Sequence, residues 1–224
     1  MVKSIRFNRQ YLFTAAVILV LLVTNLPVYA QGGDDFPEQH GNRLFIEDFT
    51  TLVNRWDRLQ TAKYSADYKD FSYQFDIRSP GLPVWSLPRT TFDLDRYYIE
   101  VKAEIMVDSA EDSFVGVALN YQNEDNFYVF GVMPAGTFEV RSWDNGTWAD
   151  EPLIEGEFEI TDTILLQIED NEGVFEIGIN GERLASFENS DRSGGHFGLF
   201  AQAGHGILQV SFDDYTVYDI GVDS

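Results

Sequence analysis

From Arg43 onward, apolar and polar positions alternate with a period of two. Phe71, Tyr73, Phe75 and Ile77 are interleaved with Ser72, Gln74, Asp76 and Arg78. Ile99, Val101, Ala103, Ile105 and Val107 alternate with Glu100, Lys102, Glu104 and Met106. The pattern returns at Ile164, Leu166 and Ile168, at Phe175, Ile177 and Ile179, and at Leu208, Val210 and Phe212. A strand sends successive side chains to opposite faces, so these runs predict half-buried strands in antiparallel sheets. Asn145-Gly146 and Asn180-Gly181 predict tight hairpin turns, because both residue types tolerate positive φ. Pro80-Gly81, Gly194-Gly195 and Gly204 mark further reversals. Leu52, Val53, Trp56 and Leu59 form one short helical-looking patch without a C-cap, which predicts a turn of helix or a loop. About twelve short strands and no repeats predict an all-β fold, a two-sheet antiparallel sandwich of the jelly-roll kind.

The start of the chain follows other rules. Lys3, Arg6 and Arg9 precede a 13-residue apolar run from Tyr11 to Val23, and Pro27 and Val28-Tyr29-Ala30 follow. A basic start, a short apolar run and small residues at a cleavage point are the anatomy of a secretory signal peptide over residues 1–30. The run falls short of the ~20 apolar residues a membrane span needs, so contact with a membrane is expected only through an uncleaved signal. Residues 31–42 are rich in Gly and acid and predict a flexible lead, followed by one sandwich domain over 43–219 and a tail over 220–224. The expected location is secreted or extracytoplasmic.

Composition narrows the chemistry. The 224 residues contain 15 Lys and Arg against 37 Asp and Glu, a formal charge of −22, and no Cys. Disulfides, cysteine-ligated metals and a thiol nucleophile are therefore absent. The acidic surplus argues against nucleic acid or an anionic membrane as partner, since phosphate contacts need clustered Lys and Arg.

Six segments carry a family resemblance: FIEDF (45–49), VGVALNYQNEDNFYVFGV (115–132), GTFEVRSWDNGTW (136–148), INGERLASF (179–187), GGHFGLFA (194–201) and VSFDDYTVY (210–218). In this order they resemble secreted bacterial domains of the concanavalin A-like lectin/glucanase superfamily, which includes laminin-G-like modules and family 16 glycoside hydrolases. The resemblance implies a concanavalin A-like jelly roll, and a fold shared by lectins, adhesion modules and glycosidases does not choose among them. Two departures point away from catalysis. The Glu-x-Asp-x-x-Glu strand of the family 16 enzymes has no counterpart here. Where relatives that act on keto-sugars often end a Ser-Gly-x-x-x-Arg strand in arginine, the comparable 115–120 stretch ends in Asn120.

Three sets of polar residues were candidates for chemistry. Glu155, Glu157 and Glu159 share one face of a strand at ~7 Å spacing, a separation that inverting glycosidases use, but a solvated strand face explains them more simply. His40 lies in the lead, and a strand between His196 and His205 would hold them more than ~20 Å apart, too far to share a metal. Glu47 and Asp48 in the first strand and Asp213 and Asp214 in the last would lie side by side in a jelly roll. Four carboxylates at one sheet edge raise the possibility of a structural calcium, with solvated turn acids as the alternative. No organic cofactor is implied.

A ligand face follows from register. Pairing Tyr121 with Asn126 sets Leu119, Val117 and Val115 opposite Tyr128, Phe130 and Val132, all inward. The other side then shows Gly116, Ala118 and Asn120 opposite Gly131, Val129 and Phe127, a shallow surface that lets a ligand approach the backbone. The next strand adds Glu139, Arg141 and Trp143 outward, with Trp148 across the turn. Aromatic rings beside an amide, a guanidinium and a carboxylate suit a sugar, whose C–H face stacks while its hydroxyls are hydrogen-bonded. A hairpin clasp is the structural alternative for the two tryptophans. The candidate contacts are Asn120, Glu139, Arg141, Trp143 and Trp148, with Phe127 as floor and Trp85 assigned either to this face or to the core. The expected function is a non-catalytic module for carbohydrate or cell-envelope glycan. A glycoside hydrolase on the same fold, needing Glu139 and a second acid, and an adhesion module for another protein are the alternatives.

Overall fold

A computed structural model describes residues 35–36, 41–51, 55–92, 94–106, 108–188 and 194–221. The signal segment, His40, Leu52, Val53 and Val107 lie outside the described residues. The strands are β1 (Asn42–Glu47), β2 (Leu59–Gln60), β3 (Tyr64–Lys69), β4 (Ser72–Ile77), β5 (Pro83–Ser86), β6 (Arg96–Ile105), β7 (Phe114–Asn123) and β8 (Asn126–Met133). They continue as β9 (Thr137–Asp144), β10 (Thr147–Trp148), β11 (Ile154–Glu157), β12 (Ile164–Asn171), β13 (Val174–Ile179), β14 (Glu182–Glu188), β15 (His196–Gln202) and β16 (Leu208–Asp219). No helix occurs among the described residues.

Two antiparallel sheets result. One has nine strands in the order β14-β13-β12-β6-β16-β4-β3-β2, with β1 also on β16. The other has seven, in the order β10-β9-β8-β7-β15-β5, with β11 also on β9. The core lies between them. Tyr73, Phe75, Ile99, Val101 and Phe212 of the first sheet meet Val117, Leu119, Phe130, Phe138 and Val140 of the second, all buried. Burying each such side chain contributes about 1.5–3 kcal/mol relative to exposure, so the period-two rows are what drives the sheets together.

Most predicted strands are present, along with several shorter ones. Asn145-Gly146 and Asn180-Gly181 take positive φ at both residues, as the hairpin turns require. Three expectations need correction. Phe71 does not join the inward row of β4: it sits in the β3–β4 turn with φ of 62°. The described part of the helical-looking patch is not helical, with Trp56 bridged to Pro88 and Leu59 opening β2. The lead is not wholly free: Asp35 bridges Glu182, Phe36 N–H donates to the Gly181 carbonyl at 2.6 Å, and the Phe36 ring is buried where Gly178 has no side chain.

Candidate functional site

The seven-stranded sheet has the expected parity over most of β7 and β8. Val115, Val117 and Leu119 pair with Val132, Phe130 and Tyr128 and face the core. On the opposite side Gly116 pairs with Gly131 and Ala118 with Val129. Strand β9 continues that outward row, with Arg141 beside Val129, Glu139 beside Gly131 and Trp143 beside Phe127.

This outer face is not a bare groove. A second hydrophobic cluster covers it, with Phe114, Ala118, Phe127, Val129, Trp143 and Phe200 buried and Trp85, Tyr121, Met133 and Trp148 packed partly buried against them. The space left by Gly131 is taken by the Phe114 ring, 2.8 Å from where a Cβ would stand, and at Gly116 a Cβ would lie 2.0 Å from the Phe130 carbonyl oxygen. The paired glycines therefore serve aromatic and backbone packing and do not open a floor for a ligand. Phe127 is indeed a floor, fully buried beneath Trp85, Tyr121 and Trp143 at ring distances of 5.3, 5.5 and 5.9 Å.

Trp143 and Trp148 lie on the outside of the sandwich, but they are covered to different degrees. Trp143 is 9% exposed, and its indole N–H donates to the Glu124 carbonyl at 3.1 Å. Trp148 meets Trp143 edge-on at 4.9 Å, reaches Phe200 at 5.5 Å and donates from Nε1 to Gln202 Oε1 at 2.8 Å. Since Gln202 belongs to β15 and Trp148 to β10 at the far edge, the β9–β10 hairpin curls over the sheet. The pair clasps the hairpin, as the structural alternative predicts, and it lies on the outer side of the sheet.

Asn120 is the clearest displacement from expectation. The pairing of β7 with β8 shifts between Leu119 and Asn123, and Asn120 takes φ of 49°. A bulge places two consecutive residues toward one side and reverses the parity beyond it. Asn120 is therefore buried, its Oδ1 accepting from the Tyr97 hydroxyl of the opposite sheet at 3.2 Å. It joins the two sheets and does not lie on the outer face. Tyr121 takes the outward place instead. Nothing in a period-two count reveals this, although an asparagine four residues before Glu124-Asp125 is a residue type that tolerates left-handed backbone.

Tyr121 and Trp85 stand at the rim of an open cleft of about 350 Å³ between the β5 edge of one sheet and β2–β3 of the other. Asp57, Tyr64, Ser86 and Glu124 also line it. A volume of this size falls within the usual range for small-ligand sites. Its lining combines three aromatic rings, two carboxylates and a hydroxyl, and holds no basic side chain. Tyr64, Tyr121, Asp57 and Glu124 were not found from the sequence, because the cleft gathers the stretch before β2, the start of β3 and the β7–β8 hairpin, which are far apart along the chain.

At the other end of the face, Glu139 and Arg141 are half-buried. The Arg141 Nε lies 3.6 Å from Glu139 Oε2, its Nη2 donates to the Ala149 carbonyl at 3.3 Å, and its guanidinium stacks 5.2 Å above the Trp148 ring. Burial pushes the Glu139 carboxyl above the usual range, Arg141 pulls it back, and Glu155 adds to the rise. Glu155 is the direct cross-strand neighbour of Glu139, a pairing that spacing along the sequence did not reveal. Glu155 and Glu157 are exposed on one face of β11, as a wet strand face requires, whereas Glu159, also exposed, lies past the end of the strand and does not share that face.

The first and last strands lie side by side as expected, Glu47 opposite Tyr215. Their four acids nevertheless have separate partners. Glu47 is buried and 3.8 Å from Arg55, Asp48 accepts from the Thr50 hydroxyl and N–H, Asp213 accepts from the Asp214 N–H, and Asp214 binds Lys102 at 2.6 Å. Among the described residues no group of three or more acids or histidines is placed to hold a metal ion. The β16–β6 register shifts between Asp213 and Thr216, where Asp214 takes φ of 50°, and the charge of Asp48 still reaches Asp213 and helps to raise its carboxyl. His196 opens β15, and His205 lies beyond its other end, its ring Nδ1 hydrogen-bonded with the Asp112 carboxylate.

No family model matches the chain, and no curated protein matches its sequence. Solved structures do match. The carbohydrate-binding module CBM66 from Bacillus subtilis is similar with a TM-score of 0.60 and 16% identity, over 75% of this chain and 98% of that one. The catalytic domain of an endo-1,3-β-glucanase (laminarinase) from Thermotoga petrophila gives 0.59 and 9%, over 82% of this chain and 100% of that one. A xylan β-1,4-xylosidase from Bacillus halodurans gives 0.57 and 13%, over 83% of this chain and 41% of that one. At these identities the likeness is one of fold alone. The strand order, the inter-sheet core and these likenesses together assign the chain the concanavalin A-like jelly-roll sandwich fold.

Proposed function

We propose that this chain is an exported, non-catalytic glycan-binding module whose ligand lies along the outer face of the seven-stranded sheet, at its Trp85–Tyr121 end. The observation that carries the reading is the cleft there. Two aromatic rings of the outer cluster stand at its rim, with carboxylates and a hydroxyl beside them. A sugar needs an apolar platform for its C–H face and oriented acceptors for its hydroxyls, and this lining supplies both. The ring positions are fixed before any ligand arrives, because Phe127 supports both from beneath. Preorganised rings lose little freedom on binding. The similarity to a carbohydrate-binding module and to glycan-acting enzymes of the same fold supports the class of ligand. The absence of basic lining, together with a formal charge of −22, favours neutral glycans over uronates or sulfated chains.

Affinity electrophoresis in neutral polysaccharides tests this. Trp85→Ala is expected to weaken binding on the order of tenfold, the loss of one aromatic contact. Undiminished binding by a folded Trp85→Ala protein would remove the proposed site.

A second reading rests on Glu139, whose raised carboxyl beside Glu155 resembles a general acid next to a like charge. It requires release of reducing sugar that Glu139→Gln abolishes.

A further inference from the structure

At the edge of the nine-stranded sheet, the β3–β4 turn carries Phe71, which neither the fold nor solubility explains. Strands β3 and β4 are joined through the closing pair Lys69 and Ser72 by a two-residue turn, Asp70-Phe71. Both residues are left-handed, with φ of 53° and 62°. Glycine occupies the second place of the comparable turns at Asn145-Gly146, Glu172-Gly173 and Asn180-Gly181. A bulky L-residue in that conformation is strained, and a persistent outlier of this kind is a pointer to use rather than to packing. The Phe71 ring is also 72% exposed, the most exposed of the large apolar side chains described, and it makes no ring contact among the described residues.

Beside this ring lies a trough of about 440 Å³. Register explains its floor. Gln74, Ser211 and Glu104 stand in one cross-strand row over β4, β16 and β6, and Asp213 and Lys102 form the adjacent row. Thr163 extends the trough just before β12. With Ser72 and Asp70 also in the lining, an amide, three hydroxyls, three carboxylates and an ammonium present donors and acceptors together, with one open aromatic ring at the end. Lys102 is already bound to Asp214, so the trough offers no free cation for an anionic ligand.

We propose that Phe71 and this trough form a second glycan-contact site, at the opposite end of β3 from the Trp85–Tyr121 cleft, that takes a short stretch of neutral polysaccharide. The C–H face of one ring stacks on Phe71, and the hydroxyls of the chain meet Gln74, Ser211 and Glu104. The proposal rests on different residues from the first site. Two separate sites let one module join two chains, and on a single long chain they raise apparent affinity without any stronger individual contact.

The test uses Phe71→Gly, which keeps the turn in a conformation glycine prefers. Its melting temperature is expected to equal or exceed that of the parent chain; a fall would show that Phe71 serves the fold and would overturn the proposal. Binding is then read by affinity electrophoresis against laminarin, xylan, levan and mixed-linkage β-glucan, with polygalacturonate as the anionic control. Phe71→Gly and Trp85→Ala are each expected to weaken retardation on the order of tenfold, and the double variant to abolish it. Retardation lost in Trp85→Ala but untouched in Phe71→Gly would overturn this site and leave the first. The reverse result would overturn the first and leave this one. A parent chain retarded by none of the neutral polysaccharides would overturn both, as would capture by polygalacturonate alone.

Discussion

Trp148 connects hairpin geometry to the integrity of the outer face, and its removal has a calculable effect. The side chain packs on Trp143, Phe114 and Phe200, lies under the Arg141 guanidinium and is hydrogen-bonded to Gln202. An aromatic side chain buries roughly 150–250 Å², and Trp148 is only partly covered, so the lower end applies. At about 25 cal/mol per Å² that is close to 4 kcal/mol, an upper figure because the unfolded chain already shields some of the ring. The lost hydrogen bond adds about 1 kcal/mol, and relaxation of the hairpin into the gap returns part of the total. Trp148→Ala should therefore cost about 3 kcal/mol, or about 6–12 °C in a domain of this size. Urea denaturation followed by far-ultraviolet circular dichroism reads the change directly, with an unchanged m-value showing that the unfolded state is unaffected. Trp148→Phe keeps most of the packing and should lose only about 1 kcal/mol, because Gln202 remains tied to the Gly81 carbonyl. A Trp148→Ala loss under about 1 kcal/mol would mean that the ring is a free surface group and that the clasp is misread.

Asn120→Ala should lower stability by about 2 kcal/mol, from the lost bond to Tyr97 and the left-handed backbone, while glycan affinity stays at the parent value. A loss of affinity without a loss of stability would return Asn120 to the ligand face. The pH dependence of stability has a definite sign. Burial raises the carboxyls of Glu47, Glu139, Glu169, Asp170 and Asp213 above their ordinary values of 4.5 for Glu and 3.8 for Asp. The folded state then binds protons more tightly, so these groups lose stability as pH rises through their folded values and regain it on mild acidification. Asp48, Asp67 and Asp112 are lowered by hydrogen bonds, and their contribution, present above 3.8, is lost as pH falls further. Thermal melts should therefore peak in mild acid, helped by relief of the −22 charge, and a melting temperature that falls steadily from pH about 7 to about 5 would contradict this.

Period-two alternation and Asn-Gly turns were enough to identify the strands, the antiparallel pairing and the register of β7 against β8 as far as Leu119. These are local properties: a side chain's face depends only on its place along a strand, and a turn only on the φ its residues tolerate. Phe71 shows the limit of the same logic, since alternation alone could not distinguish the last residue of a turn from the first of a strand. One bulge at Asn120 was enough to exchange two neighbours, sending the amide to the opposite sheet and Tyr121 to the outer face.

What tertiary structure alone decided was which groups cover which. Phe114 fills the space of Gly131, Trp148 reaches Gln202, Phe36 docks on Gly178, and Glu155 stands beside Glu139. Each pair joins residues whose sequence separation carries no periodic signal, so composition and spacing are silent about them. The acids of the first and last strands show the same division. Their adjacency followed from the fold class, but their partners, Arg55, Thr50 and Lys102, were selected by side-chain reach and by the bulge at Asp213. Sequence determined the two faces of the long strands up to their bulges because that is a matter of backbone parity. Only the folded chain determined the surface, because covering, like packing, depends on groups brought together from distant strands.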